Sequence, residues 1–186
     1  YGGAFKFDGD GDFVDIPDIQ LSSWTWSSWI YAKQYTNSWV IPIGAENSGN
    51  FIARKDGFFR TWDGTSHDCS GSPPAPVFNQ WEHWAVTYNS TTFIYYLNGA
   101  FIGTSASTGN SFNFSRMGNV SDGTYDFNGS VDEVRIWNRS LSASEVYESY
   151  VSNLQKFNLV QWYLYVNQSK NSIAGLDNGI YTYFAF

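Results

Sequence analysis

Several groups of residues carry side chains that could do chemistry. Asp8-Gly9-Asp10-Gly11-Asp12 alternates carboxylates with glycines. Calcium takes six to eight oxygen ligands, and alternate Asp residues in a Gly-rich loop can converge on one ion. The run departs from the EF-hand pattern, with Phe13 at the position of the required Gly and Ile19 at that of the bidentate Glu. The competing reading, which this departure favours, is a solvated Asp/Gly turn. A glycosidase needs two acids on one face of the scissile bond, about 5–5.5 Å apart if it retains configuration. The nearest pair is Asp132-Glu133. Neighbours on a strand face opposite sides, so this pair is expected to be split. His67 and His83 have no Ser or Cys partner in a recognisable motif. These patterns argue against catalysis.

Aromatic rings offer a different chemistry. Trp39, Trp62, Phe58 and Phe59 lie near expected loops, where exposed rings could stack on sugars. Core or interface packing is the competing reading. Asn89, Asn113, Asn119, Asn128, Asn138 and Asn167 each open an Asn-X-Ser/Thr sequon. A glycosylated surface protein is expected from them, against plain Asn/Ser turn chemistry.

The elements that must position these groups are strands. The chain has 186 residues, 20 % aromatic and 15 % charged, a composition that suits pleated surfaces. Strands are expected at 4–7, 13–16, 24–32, 39–44, 50–54, 57–61, 81–89, 92–97, 100–105, 115–117 and 129–138. Asn98-Gly99 between two of them predicts a two-residue type I′ turn. The slip in alternation at Trp24-Thr25-Trp26-Ser27-Ser28-Trp29-Ile30 predicts a bulge or twist. Ser142-Ala143-Ser144-Glu145 is a capping box, and Val146, Tyr147 and Tyr150 follow at helical spacing, which predicts a helix of about ten residues.

A net charge of −7 argues against nucleic acid and anionic lipid as partners. No apolar run is long enough for a membrane span. The only cysteine, Cys69, allows no intrachain disulfide and reads as an inert thiol in a polar loop. The start at Tyr1, with no signal peptide, reads as a processed product or an expressed piece.

Three blocks carry a family resemblance. They are Ala4-Phe5-Lys6-Phe7-Asp8-Gly9 with Asp12-Phe13-Val14-Asp15-Ile16-Pro17, then Trp81-Glu82-His83-Trp84-Ala85-Val86-Thr87-Tyr88 with Phe93-Ile94-Tyr95-Tyr96-Leu97-Asn98-Gly99, and then Gly129-Ser130-Val131-Asp132-Glu133-Val134-Arg135-Ile136-Trp137 with Asn138-Arg139-Ser140-Leu141-Ser142. In order and spacing they resemble the opening strands, central hairpin and closing strand of laminin-G-like domains of the concanavalin-A-like superfamily. The resemblance implies an all-β, two-sheet antiparallel jelly-roll sandwich with one short C-terminal helix. It also implies that Trp29, Trp81 and Trp137 are core, that His83 is structural, and that a structural calcium sits at Asp132 with Asp8 or the Gly9 carbonyl as partner. The competing reading of Asp132 is pairing with Arg135 or a nearby backbone N–H. The family binds glycans, proteins or calcium, or serves as architecture, so fold does not decide function.

The jelly roll is expected over residues 1–152. Residues 153–186 form an added β-hairpin tail, with strands at 159–166 and 180–186, loosely resembling the start of an immunoglobulin-like module. Trp162, Tyr163, Tyr165, Tyr181, Tyr183, Phe184 and Phe186 make those strands aromatic. A lone two-stranded hairpin is marginal in water and exposes its edges. It is expected either to fold back on its own domain or to join a neighbouring copy in a homopolymer. Two functions follow: a non-catalytic extracellular structural or adhesive module, self-assembling through the tail, or a calcium-dependent carbohydrate-binding module.

Overall fold

The computed structural model describes residues 3–36, 38–46, 49–120, 125–156 and 162–166. Alternation of apolar and polar residues builds two antiparallel sheets of six strands. One has the order β1 (Phe5–Asp8), β12 (Asn128–Trp137), β3 (Trp24–Ala32), β8 (Trp81–Tyr88), β9 (Thr92–Leu97), β10 (Ala100–Ala106). We call it the front sheet. The back sheet has the order β2 (Phe13–Leu21), β11 (Phe112–Gly118), β4 (Val40–Gly44), β5 (Phe51–Lys55), β6 (Phe58–Trp62), β7 (Ser66–Asp68). This is the expected sandwich. The short edge strand β7 was not expected, because three residues carry no readable period. Pro17 is accommodated because β2 is an edge strand.

The core lies between the sheets and is aromatic. Trp24 and Trp26 of β3 and Trp84 of β8 are fully buried. Trp24 meets Phe112 and Phe114 of the opposite sheet at 4.9 and 5.0 Å between ring centroids. Trp84 meets Phe59 of β6 at 5.7 Å. These three tryptophans fill the core in place of the expected Trp29, Trp81 and Trp137. Odd-numbered residues of β3 and β8 face the other way, so Trp29 is only half-buried and Trp81 is 43 % exposed.

One charged pair crosses the core. Arg54 of β5 is 0 % exposed and donates to Glu82 of β8 at 2.9 Å and to the Pro74 carbonyl at 2.8 Å. Its guanidinium lies 4.9 Å from the Trp84 ring and 5.5 Å from that of Phe59. Glu82 also accepts from the Trp84 indole N–H at 3.2 Å.

Local signals agree with the expected turns. Asn98 and Gly99 have φ of 49° and 75°, as a type I′ turn requires. Glu145 accepts from the Ser142 N–H at 2.8 Å, and the Ser142 hydroxyl accepts from the Glu145 N–H at 3.4 Å, which closes the capping box that starts α1 (Ala143–Val151). The helix lies over the outer face of the front sheet, with Leu141 and Val146 against Ala85 and Tyr96. It runs directly into β13 (Ser152–Lys156), which pairs with β14 (Trp162–Val166) as a separate two-stranded sheet. The strand expected at 159–166 therefore pairs with an unexpected neighbour, and 180–186 lies outside the described residues.

Removing one member of a buried ion pair strands the other. Glu82→Gln is expected to destabilise the fold by about 3–5 kcal/mol in urea titration. The double variant Arg54→Met/Glu82→Leu should recover most of that loss. A Glu82→Gln variant as stable as the parent would show that the pair does not hold the sheets.

Candidate functional site

The outer face of the back sheet collects three of the four expected sugar-stacking residues. The β5–β6 register pairs Phe51 with Trp62, Ala53 with Arg60 and Lys55 with Phe58. All six point away from the core, because Ile52, Arg54, Phe59 and Thr61 between them point in. Trp39, held before β4 by its bridge to Thr36, reaches the same face. Its ring lies 6.2 Å from that of Phe58. Lys55 Nζ sits 4.4 Å from the Trp39 centroid, and the Arg60 guanidinium 4.6 Å. Arg60 is fixed by two bonds to Asp68, of 2.6 and 2.8 Å. Farther along, Trp62 stacks on Phe51 with planes 6° apart, and Tyr125 leans on Phe51 at 5.3 Å. Trp39, Trp62 and Tyr125 are half-buried, and Phe58 is 39 % exposed. The face therefore offers part-exposed rings, with two cations lying over Trp39 and Phe58 and one carboxylate beside them.

Phe59 does not belong to it. It is 0 % exposed and packs on Trp84 and Tyr95, so the strand's alternation denies it to any ligand. The members that the sequence left unnoticed are Phe51, Tyr125, Lys55, Arg60 and Asp68. The alternation within Phe58-Phe59-Arg60-Thr61-Trp62 is the signal that could have found Arg60.

Asp132 and Glu133 are not split by the strand. The β12–β3 register slips between Asp132 and Arg135, and Glu133 takes a φ of 49°. This bulge brings both residues to one cavity of about 240 Å³, lined also by Trp29 and Trp81. Asp132 Oδ1 accepts from the Glu133 N–H at 2.8 Å, and Glu133 accepts from Arg135 at 2.8 Å. Burial pushes the Glu133 carboxyl up, and Arg135 pulls against that shift. The slip anticipated in β3 thus lies on its partner strand.

The expected calcium set does not converge. Asp8 pairs with Asn128, four residues before Asp132, or roughly 13 Å along a strand. The Asp8 carbonyl accepts from Asn128 Nδ2 at 2.7 Å, and Asp8 Oδ1 accepts from the Asp10 N–H at 2.9 Å. Gly9 lies against the Asn128 side chain at the same end. Among the described residues, no group of three or more His, Cys, Asp or Glu is placed to hold a metal.

The sequons differ in access. Asn119 is buried and donates to Asp126 at 2.6 Å, while Asn128 and Asn113 are half-buried and donate to Asp8 and Asp18. Asn89 and Asn138 are exposed. Asn167 lies outside the described residues, as do Tyr181, Tyr183, Phe184 and Phe186. Trp162, Tyr163 and Tyr165 lie on β14.

The remaining candidates are interior. His67 is buried between Asp63 and the Ala106 carbonyl, at 2.9 Å from each. Cys69 is buried after β7 rather than in an open loop, and burial raises its thiol pKa. Burial, with Arg135 adding to the effect, pushes His83 down to about 3. Among the described residues, no helix is long and apolar enough to cross a membrane.

A model of the Laminin_G_3 family, of the concanavalin A-like lectin/glucanases superfamily, matches residues 8–147. Domain 4 of AbnA, a GH43 extracellular arabinanase from Geobacillus stearothermophilus solved with arabinotriose, is similar with a TM-score of 0.62 and 21 % identity, over 78 % of this chain and 75 % of that one. The CBM40 of a Ruminococcus gnavus sialidase bound to α2,3-sialyllactose gives 0.57 and 16 %, over 80 % and 96 %. A proposed carbohydrate-binding protein of Bacteroides ovatus gives 0.65 and 17 %, over 80 % of this chain but 46 % of that one, so the chain spans about half its length. No curated protein matches.

Two predictions follow from the placement of these side chains. In a glycosylating host, glycan should be found at Asn89 or Asn138 and not at Asn119, which peptide mass spectrometry reads directly. Because His83 is neutral in the fold, its contribution to stability is complete above about pH 6.5 and is lost progressively as pH falls toward 3. Replacing it with Gln should flatten the pH dependence of the melting temperature over that window. An unchanged slope would mean that the imidazole protonates freely in place.

Proposed function

The chain belongs to the concanavalin A-like lectin/glucanases superfamily, and from that membership we propose that it is a non-catalytic carbohydrate-binding module. The observation that carries the reading is the aromatic outer face of the back sheet. Trp39, Phe58 and Trp62 present part-exposed rings on one face, of the kind that packs on the apolar faces of sugars. Lys55, Arg60 and Asp68 supply the charged donors and acceptor that orient hydroxyls or an acidic substituent. The face is built on strands, so it is preformed and binding costs little ordering.

Similar folds support the same reading, since one was solved with arabinotriose and another with sialyllactose. They favour it over the self-assembling filament. An extracellular setting, with glycan on the exposed sequons, belongs to the same proposal. The non-catalytic part rests on the acids. Asp132 and Glu133 are consecutive, and Glu133 is engaged by Arg135, so this pair is not the separated acid and nucleophile that a retaining glycosidase uses. The proposed binding step does not draw on calcium held by Asp8, Gly9 and Asp132, since Asp8 pairs with Asn128, four residues from Asp132.

Calorimetric titration with arabino-oligosaccharides and sialylated oligosaccharides tests the proposal. At least one series should bind. Trp39→Ala and Trp62→Ala should each weaken it roughly tenfold, about 1.4 kcal/mol, with little change in melting temperature because both rings are only half-buried. A chelator should leave affinity unchanged, and no reducing ends should appear on prolonged incubation. Binding that survives both tryptophan replacements would place the site elsewhere.

A further inference from the structure

The aromatic face on the back sheet is unevenly charged. Two cations share the Trp39 ring: Lys55 Nζ lies 4.4 Å from its centroid and the Arg60 guanidinium 4.6 Å. Phe58 closes the group, 4.9 Å from Lys55 Nζ and 6.0 Å from the guanidinium. Asp68 answers only one of the two, since both of its oxygens accept from Arg60, at 2.6 and 2.8 Å. Among the described residues, no carboxylate lies within ion-pair distance of Lys55. The acid next to it in sequence, Asp56, is exposed in the β5–β6 turn.

A lysine stem ordinarily carries its ammonium out into water, and neighbouring cations repel unless an anion lies with them. Here the β5–β6 register sets Lys55 opposite Phe58 and Ala53 opposite Arg60, so the two cations are diagonal neighbours on the outward face. The rings hold the ammonium by cation–π attraction, which is weak at a partly exposed site. None of its three N–H donors meets an oxygen among the described residues. A carboxylate on a ligand would supply both the acceptor and the missing charge, through a charge-assisted bond stronger than the hold of the rings. A neutral sugar supplies no charge. It would stack where a cation already lies over the rings, and would have to move the ammonium or desolvate it without an ionic partner. The net charge of −7 repels anions at long range, so a preference for an acidic ligand has to come from this local group.

Resting on the carbohydrate-binding reading of the same face, we propose that its ligand is an acidic sugar and that Lys55 determines this specificity. The ammonium bonds the carboxylate of the sugar and obstructs neutral rings. Arg60, tied to Asp68, keeps a second fixed cation beside Trp39. The carboxylate is that of a uronate or of a sialate, which present the same group from different positions on the ring.

Calorimetric titration of the full chain with two matched pairs tests the assignment: trigalacturonate against its carboxyl-reduced galactose trimer, and 3′-sialyllactose against lactose. At least one acidic sugar should bind roughly tenfold or more tightly than its neutral partner, and its affinity should fall as salt rises. Lys55→Met, which keeps the stem, should weaken the acidic sugar about tenfold and leave the neutral one equal or tighter. Lys55→Arg should restore the preference, and Lys6→Met on the exposed β1 should change neither. Preference within the first pair alone assigns a uronate, within the second alone a sialate, and within both a carboxylate on either ring. Neutral sugars that bind as tightly as acidic ones, or a preference that persists in Lys55→Met, overturn the proposal. The platform itself stands in either case if Trp39→Ala abolishes the binding. Acidic sugars that still bind after both Trp39→Ala and Trp62→Ala remove the platform and this proposal with it. No binding by any of the four sugars overturns the assignment, and the arabino-oligosaccharides then decide the platform alone.

Discussion

The ion pair between Arg54 and Glu82 is the constraint on which the arrangement of the two sheets depends. Arg54 is the one fully charged side chain of the β5–β6 hairpin that points inward, and Glu82 answers it from the opposite sheet. Burial lowers the pKa of the guanidinium, and Glu82 opposes that shift. Such a pair adds little net stability compared with apolar side chains of equal volume, because desolvation offsets much of the attraction. Its effect is on register. A slip of β5 by one residue would turn Arg54 to solvent and strand Glu82, and would bury Lys55 in its place. The outward set Phe51, Ala53 and Lys55 is therefore determined by what Arg54 does inside. The aromatic face on the back sheet is a consequence of an interaction in the core.

That dependence also explains what was legible from sequence and what was not. Local chemistry read well. Asn98-Gly99 needed only its own dihedrals, and the Ser142–Glu145 box only its own hydrogen bonds. The main strands followed from alternation. Failures came where one residue's role is set by another strand. An Arg within Phe51-Ile52-Ala53-Arg54-Lys55 gives no sign that it faces inward, because its partner lies 28 positions away. The family resemblance puts Trp29 and Trp81 in the core, yet the phase of β3 and β8 gives the core to Trp24, Trp26 and Trp84. Phe58 and Phe59 are indistinguishable by type, and only the phase of β6 separates a surface ring from a buried one.

The two outer faces are not equivalent, and the helix makes the difference. On the front sheet, α1 covers Ala85 and Tyr96, and its end braces Trp29 through Tyr150. What remains open there is a small acidic cavity at the helix margin. On the back sheet, the face along β5 and β6 stays open as a broad surface with Lys55 and Arg60 among its rings. One sandwich thus carries a narrow cavity beside two carboxylates and a surface with two cations among its rings. A single ligand chemistry would not suit both.

The Asp8–Asp12 loop shows how a run with the composition of a cation site can be spent on backbone instead. Two of its three carboxylates cap an N–H: Asp8 Oδ1 takes that of Asp10 at 2.9 Å, and Asp12 Oδ2 takes that of Asp8 at 3.1 Å. Across the gap, Asp126 Oδ1 accepts from the Gly11 N–H at 3.0 Å and from Asn119 Nδ2 at 2.6 Å, while its carbonyl accepts from the Thr36 hydroxyl. Gly9 and Gly11 supply φ values of 86° and 78° that other residues adopt at a cost. The loop is thereby fastened to the segment that leads into β12. Beneath it, Gly118 lets Phe7 approach to where a Cβ would sit 2.4 Å from the ring. Alternating Asp and Gly satisfies this need because Asp closes short turns onto backbone N–H groups and Gly turns the chain between them. The same alternation would serve an ion; here one oxygen each of Asp8 and Asp12 closes the loop on its own N–H groups, and what the loop secures is the seam between the first and last strands of the front sheet.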